Sequence, residues 1–345
     1  MSLSTALRRQ TPWKPLLRRY RPFSTSPEDG PRPPRPPPPP PPPPIRVGFT
    51  ESAGRGVFAT RPIRAGDPIH TAKPLVTHPS PSLLHQVCYF CLKKLGREKS
   101  AVSLPIQDGG SVLYESASAS TIRETICFCT EKCSEYSKGF YEIERRADWS
   151  AFDEHCREQE VKYPLLVKRF ACMVLSGASR ADALDILQPA RLFPQNILEM
   201  EEEFRLLKDA FLTARIAYDQ MSFLTKDWYV GTLARIRINA FRVEFAGGSY
   251  EDLLSMASAS VIANAAVGNA VYMLPSFYNH DCDPNAHIIW IDSADAKLKA
   301  LRDIEEGEEL CICYIDASMD HDARKTLLLE GFGFQCCCPR CMADD

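Results

Sequence analysis

From Ile45 onward, short β-branched and aromatic runs are punctuated by Gly and Pro, as in "IRVGFTESAGRGVFATRPIRAGDPIHTAKPLVTHP", and this predicts hairpins. Between Glu131 and Met221 the pattern changes to a helical one. Met200, Phe204, Leu207, Phe211, Ala214 and Tyr218 recur at spacings of four and three, with Glu201, Glu202, Arg205 and Lys208 off that stripe. Such a stripe faces a core. After Trp228 strand patterns return in "ARIRINAFRVEF", "NAVYML", "AHIIWID", "KLKALRDI" and "ELCICYID". In the last of these Leu310, Ile312 and Tyr314 share one face, and Cys311 and Cys313 the other. "DIEEGEE" is a polar turn between the last two strands. A final helix is predicted from His321 to Glu330, stopping at Gly331. Strands at both ends around a helical block make an α+β chain.

At 345 residues the chain suggests two or three structural units. Its net charge of −3 excludes a strongly basic nucleic-acid surface, so no direct nucleic-acid partner is expected. The charge is uneven. Arg8, Arg9, Lys14, Arg18, Arg19 and Arg21 fall in the first 27 residues, which hold no acid. That Arg- and Ser-rich start, ending in "RPFSTS", resembles a mitochondrial transit peptide, with a plain basic tail as the other reading. Mitochondrial localisation is the expectation, and nucleus or cytoplasm the alternative. Pro36 to Pro44 fix φ and lack N–H groups, which makes a stiff polyproline II spacer. No membrane span is expected: the nearest candidate, Met256 to Leu274, is interrupted by Asn264, Gly268 and Asn269. A monomer is expected.

Fourteen cysteines without a secretory signal point to thiols and metal rather than disulfides. The end of the chain reads "GFGFQCCCPRC", in which Cys336, Cys338 and Cys341 form C-x-C-x-x-C. Three thiolates leave a tetrahedral zinc one ligand short. Cys282, in "NHDCDPN" and fixed by the Asp283-Pro284 turn, is the candidate fourth, with Cys337 pointing away. A second cluster holds Cys88-x-x-Cys91 and Cys129-x-x-x-Cys133, with Cys127 able to replace Cys129. One zinc is expected there. Cys156, Cys172, Cys311 and Cys313 read as small buried hydrophobes.

Five motifs in order resemble the SET-domain protein-lysine methyltransferases, and within them the SET-and-MYND group. They are "GRGVFAT" followed by "IRAGDPI", then "INAF", "NHDCDPN", "GEELCICYID" and the tail "FGFQCCCPRC", together spanning Val47 to Cys341. The resemblance implies a SET fold of small twisted β-sheets with a threaded C-terminal strand, split by a helical, zinc-finger-containing insertion and closed by a post-SET zinc tail. The divisions it implies are a leader (1–27), a proline-rich linker (28–44), the first part of the SET domain (45–84), the MYND-like finger and helical block (85–227), the second part (228–316) and the post-SET helix and tail (317–345).

The resemblance further implies S-adenosylmethionine as cofactor, two zinc ions and a protein lysine as acceptor, histone or non-histone. Gly54, Arg55 and Gly56 would line the methionine end of the cofactor, and Asn239 would contact it. Asn279 and His280 would hold the adenosine end, and Phe334 would stack on the adenine. Phe332 would line the lysine channel where a Tyr is common, and Tyr314 would be the catalytic tyrosine. Cys282, Cys336, Cys338 and Cys341 would hold the post-SET zinc. The finger lacks the middle Cys pair of the MYND pattern and has Arg97 to Glu124 in its place. A non-catalytic zinc-binding interaction protein is the alternative reading.

Overall fold

Strands from the two ends of the sequence share sheets. β1 (Ile45–Phe49) and β2 (Arg55–Ala59) form the predicted hairpin, in register from Ile45 opposite Ala59 to Phe49 opposite Arg55. On its other side β2 pairs antiparallel with β12 (Glu309–Ile312), which in turn lies parallel to the short β9 (Asn279–His280). β3 (Pro68–Ala72) joins β11 (Ala296–Ala300) and β10 (Ala286–Ile289) in a second sheet. β4 (Val76–Pro79) joins β8 (Gly268–Val271) and β7 (Ala240–Val243) in a third, and β5 (Val102–Ser103) pairs with β6 (Cys127–Phe128). This computed structural model describes residues 41–51, 53–95, 102–103, 126–245 and 266–343. The expected leader, most of the proline run and nearly all of the Arg97–Glu124 segment lie outside those residues.

Between β4 and β7 runs the expected helical insertion: α1 (Glu131–Glu144), α2 (Ser150–Glu158), α3 (Tyr163–Leu175), α4 (Pro194–Thr213) and α5 (Lys226–Asn239). α3 is its centre, buried from Pro164 through Cys172 and packed on α1, α5 and β4. One buried ion pair ties the insertion to the sheets. Arg169 of α3 meets Glu144 at the end of α1 and donates from Nη1 to the carbonyls of Thr77 on β4 and Tyr89, each at 3.2 Å. Tyr89 also donates from its hydroxyl to Glu144 Oε2 at 2.9 Å. Burial opposes the Arg169 charge, yet Glu144 and Tyr89 hold the guanidinium charged above its ordinary range.

Three predicted elements differ from those observed. "ARIRIN" is the last part of α5, not a strand. Thr225 caps that helix by accepting from the Trp228 N–H at 3.1 Å, and Tyr229, Leu233 and Ile236 form its buried stripe. α4 ends at Thr213, and Arg215 turns the chain with φ 55, so Tyr218 leaves the stripe and is exposed. The last long helix, α6 (His321–Phe332), runs through Gly331 and stops at Gly333, where φ is 80. A residue without Cβ takes that left-handed cap at little cost. Phe332 therefore sits on the final turn of α6. The short α7 (Pro339–Met342) follows. Among the described residues no helix is long and apolar enough to cross a membrane.

The 279–285 segment is laid across β12. Asn285 Oδ1 accepts from the Cys311 N–H at 2.8 Å, its Nδ2 donates to the Glu309 carbonyl at 2.8 Å, and the Asp281 N–H donates to the Ile312 carbonyl at 3.0 Å. Beyond β12 the chain continues past the same segment, where Tyr314 meets both Tyr278 and His280. That crossing is the expected threading. Buried Asn285 is its fastener, a residue to which sequence reading assigned no role.

Candidate active site and metal centres

The β1–β2 turn brings glycine against the 279–285 segment. Gly54 has φ 77. At Gly56 a Cβ would lie 2.5 Å from Glu309 Oε1 and 2.9 Å from Thr50 Cγ2, so a side chain there would displace this carboxylate. Glu309, at the start of β12, accepts from Asn279 Nδ2 at 2.7 Å, and the Arg55 carbonyl accepts from the same nitrogen at 3.1 Å. Asn279 is thereby aimed by two strands. The Arg55 guanidinium lies over the Phe277 ring at 4.6 Å and donates to the Ile186 carbonyl. Asn239, predicted on a strand, is the last residue of α5, and its amide donates to the carbonyls of Gln188 (2.8 Å) and Arg235 (2.7 Å). Arg55 and Asn239 thus both hold the 186–188 segment, which nothing in the sequence pattern had singled out.

Tyr314 stands two residues past the end of β12 in an aromatic enclosure. Its ring centroid is 5.0 Å from Phe332, 6.3 Å from Phe334 and 5.3 Å from His280, and Phe334 is 6.0 Å from His280. Its hydroxyl donates to the Tyr278 carbonyl at 2.6 Å. Burial pushes the Tyr314 hydroxyl well above the usual phenol range, so it stays protonated at neutral pH. Such a group orients a neighbour through its lone pairs; it is not a base. Burial also lowers His280 to about 4, so its ring is neutral.

Both cysteine clusters assemble as expected. The sulfurs of Cys282, Cys336, Cys338 and Cys341 lie within 4.8 Å of one another, as do those of Cys88, Cys91, Cys129 and Cys133. Individual separations are 4.0 Å for Cys282–Cys336, 3.6 Å for Cys282–Cys341, and 3.5 Å for both Cys91–Cys129 and Cys129–Cys133. Four sulfurs bound tetrahedrally to zinc at about 2.3 Å would lie about 3.8 Å apart. Both donor sets therefore fit the ion. Local structure explains the placement. Thr130 caps α1 by accepting from the Cys133 N–H, which puts Cys133 on the first turn, and Cys338 sits at the start of α7, which carries Cys341. Burial and the neighbouring thiols push the Cys282 thiol up to about 12. A shared cation relieves that crowding. Cys337 is exposed, as expected, and Cys127 stays outside the first cluster.

The SET domain family matches residues 54–315, more than half of the chain. The chain belongs to the SET-domain family. Histone-lysine N-methyltransferase ATXR4 of Arabidopsis thaliana is 58% identical over 302 residues, covering 87% of this chain and 87% of that protein. A SET and MYND domain-containing protein of Dictyostelium discoideum is 23% identical over 284 residues, covering 80% and 77%. Human histone-lysine N-methyltransferase SMYD3 is 43% identical over 79 residues, covering 23% and 18%. Proteins named for SET and MYND domains are among those this chain is similar to. A solved SET domain of LSMT, bound to lysine and AdoHcy, is 14% identical with a TM-score of 0.34, covering 85% of this chain and 53% of that one. Within this SET domain, Glu309, Asn285 and the Tyr278 carbonyl complete the site around the residues that the motifs had marked. The second Glu of "GEEL" was the available signal for Glu309.

Proposed function

We propose that this SET domain transfers a methyl group from S-adenosylmethionine to the amine of a protein lysine. One observation carries the reading: a half-buried, protonated Tyr314 lies where the Asn279–His280 segment, Phe332 and Phe334 converge. The cofactor would supply a methyl on a positive sulfonium; attack by a neutral amine forms the C–N bond, breaks S–CH3 and leaves the electron pair on sulfur. Asn279, aimed by Glu309 and Arg55, would hold the cofactor, with Gly54 and Gly56 leaving room beside it. Tyr314 and Phe332 would frame the lysine. About one free lysine in a thousand is neutral at pH 7.5, so an enclosure that disfavours the ammonium raises the reactive fraction. Positioning of this kind is worth about 7–11 kcal/mol when the reactants are aligned.

Zinc at the two thiol clusters would fix the tail over Tyr314 and shape the finger. Both histone and non-histone lysines remain within this proposal. The basic leader supports mitochondrial targeting, tested by imaging a C-terminally tagged chain with and without residues 1–27. The deciding experiment for the reaction is labelled-methyl transfer by wild type and Tyr314→Phe, with cofactor binding measured by calorimetry. The variant should bind S-adenosylmethionine as wild type does and turn over about 100- to 1000-fold more slowly. Equal turnover would remove Tyr314 from its role. Absence of cofactor binding in wild type would leave a metal-held interaction module.

A further inference from the structure

His280 makes one contact with each of its ring nitrogens. The Tyr314 N–H donates to Nδ1 at 3.0 Å. A backbone N–H can only donate, so Nδ1 must hold a lone pair, and a neutral ring then carries its proton on Nε2. Nε2 is 3.3 Å from Cys282 Sγ. The imidazole therefore donates to the sulfur of one thiol in the Cys282, Cys336, Cys338 and Cys341 cluster. A protonated ring is excluded by the same geometry, since two N–H groups would then face each other at Tyr314. Arg324, 1% exposed, also hydrogen-bonds Cys282. A sulfur held by two cationic or N–H donors is suited to remain a thiolate ligand.

We propose that the His280 side chain is a positioning residue that ties the Cys282 sulfur to Tyr314, so that loading of the tail metal centre sets the place of the tyrosine. The proposal rests on the methyltransferase reading above. It differs from a backbone contact to the cofactor, because it concerns both ring nitrogens and a metal ligand. A ring needed only to fill space would require neither the tautomer nor the two contacts. The Tyr314 O–H bond to the Tyr278 carbonyl lies on the same segment, so Tyr314 is fixed at backbone and hydroxyl by residues two apart.

The test uses the full chain, loaded with cobalt(II) for spectroscopy and with zinc for turnover. Asparagine places an acceptor near the Nδ1 position, and glutamine places a donor near the Nε2 position. His280→Asn should move the cobalt–thiolate charge-transfer band to longer wavelength, because a sulfur that loses an N–H gives up electrons more readily. His280→Gln should leave the band in place. In both, kcat should fall by about tenfold to a hundredfold while KM for S-adenosylmethionine stays within about threefold. A variant-free measurement accompanies these: in wild type with 15N-labelled histidine, His280 should show a proton-free Nδ1 and a protonated Nε2. The opposite tautomer, an unmoved band in His280→Asn, or wild-type kcat in a metal-loaded His280→Gln would each overturn the proposal. If wild type transfers no methyl group, the function fails, while the tautomer and the band still decide the two hydrogen bonds.

Discussion

Replacing Glu144 with alanine removes the carboxylate that faces Arg169 at 1% exposure and Tyr89 at 6%. Breaking a buried pair by deleting one partner costs about 3–5 kcal/mol, because the remaining charge is left in a dry interior. The Tyr89 hydroxyl also loses its acceptor at 2.9 Å, a further penalty of about 1–3 kcal/mol. Arg169 keeps the Thr77 and Tyr89 carbonyls and lies over the rings of Tyr89 (4.0 Å) and Phe140 (4.5 Å), which offsets part of the loss. The expected net is about 4 kcal/mol, or roughly 8–16 °C in melting temperature. Urea unfolding of the metal-loaded protein measures it. Tyr89 lies inside Cys88-x-x-Cys91, so bound zinc should also fall at the finger. The pair Glu144→Ala with Arg169→Met should recover most of the stability, since no charge is then stranded. A loss below about 1 kcal/mol, or no recovery in the double variant, would refute this account of the junction.

Two glycines on either side of Phe332 test where α6 ends. Gly331→Ala, in helical backbone with open space at the Cβ, should stabilise by about 0.5–1 kcal/mol, whereas Gly333→Ala, at φ 80, should destabilise by about 1–2 kcal/mol; thermal melts that rank them the other way would place the stop at Gly331. Gly56→Ala should push Glu309 off Asn279 and weaken S-adenosylmethionine binding by about tenfold or more, read by calorimetry. Burial lowers His70 to about 4 from its ordinary value of 6.5. Between those values the unfolded chain takes a proton that the folded chain refuses, so this contribution to stability is full above pH 6.5 and is lost as pH falls towards 4. His70→Gln should flatten the acid limb of a pH series of urea midpoints, and an identical slope would exclude His70 as its source.

Local chemistry made much of this protein legible in its residues alone. A C-x-C-x-x-C tail and a glycine turn before β2 depend on neighbours a few positions away, and those neighbours are written in order. The eight clustered cysteines were legible as spaced pairs and a tail, but Cys88 and Cys91 met Cys129 and Cys133, and Cys282 met the tail, only once the fold closed, as did the residues around Tyr314. In α5, Ile236 and Ile238 alternate with arginines as a strand would, but packing on α3 selects the helical stripe of Tyr229, Leu233 and Ile236. Asn285 and Glu309 lie inside quoted motifs, but their partners on β12 and at Asn279 are not written there, and the 186–188 segment and the Glu144–Arg169 junction had no local signature. Each joins residues far apart in the chain, and only burial decides their strength. A carboxylate opposite a guanidinium is worth little in water and several kcal/mol when both are dry, and which pairs become dry is settled when the sheets and the insertion pack.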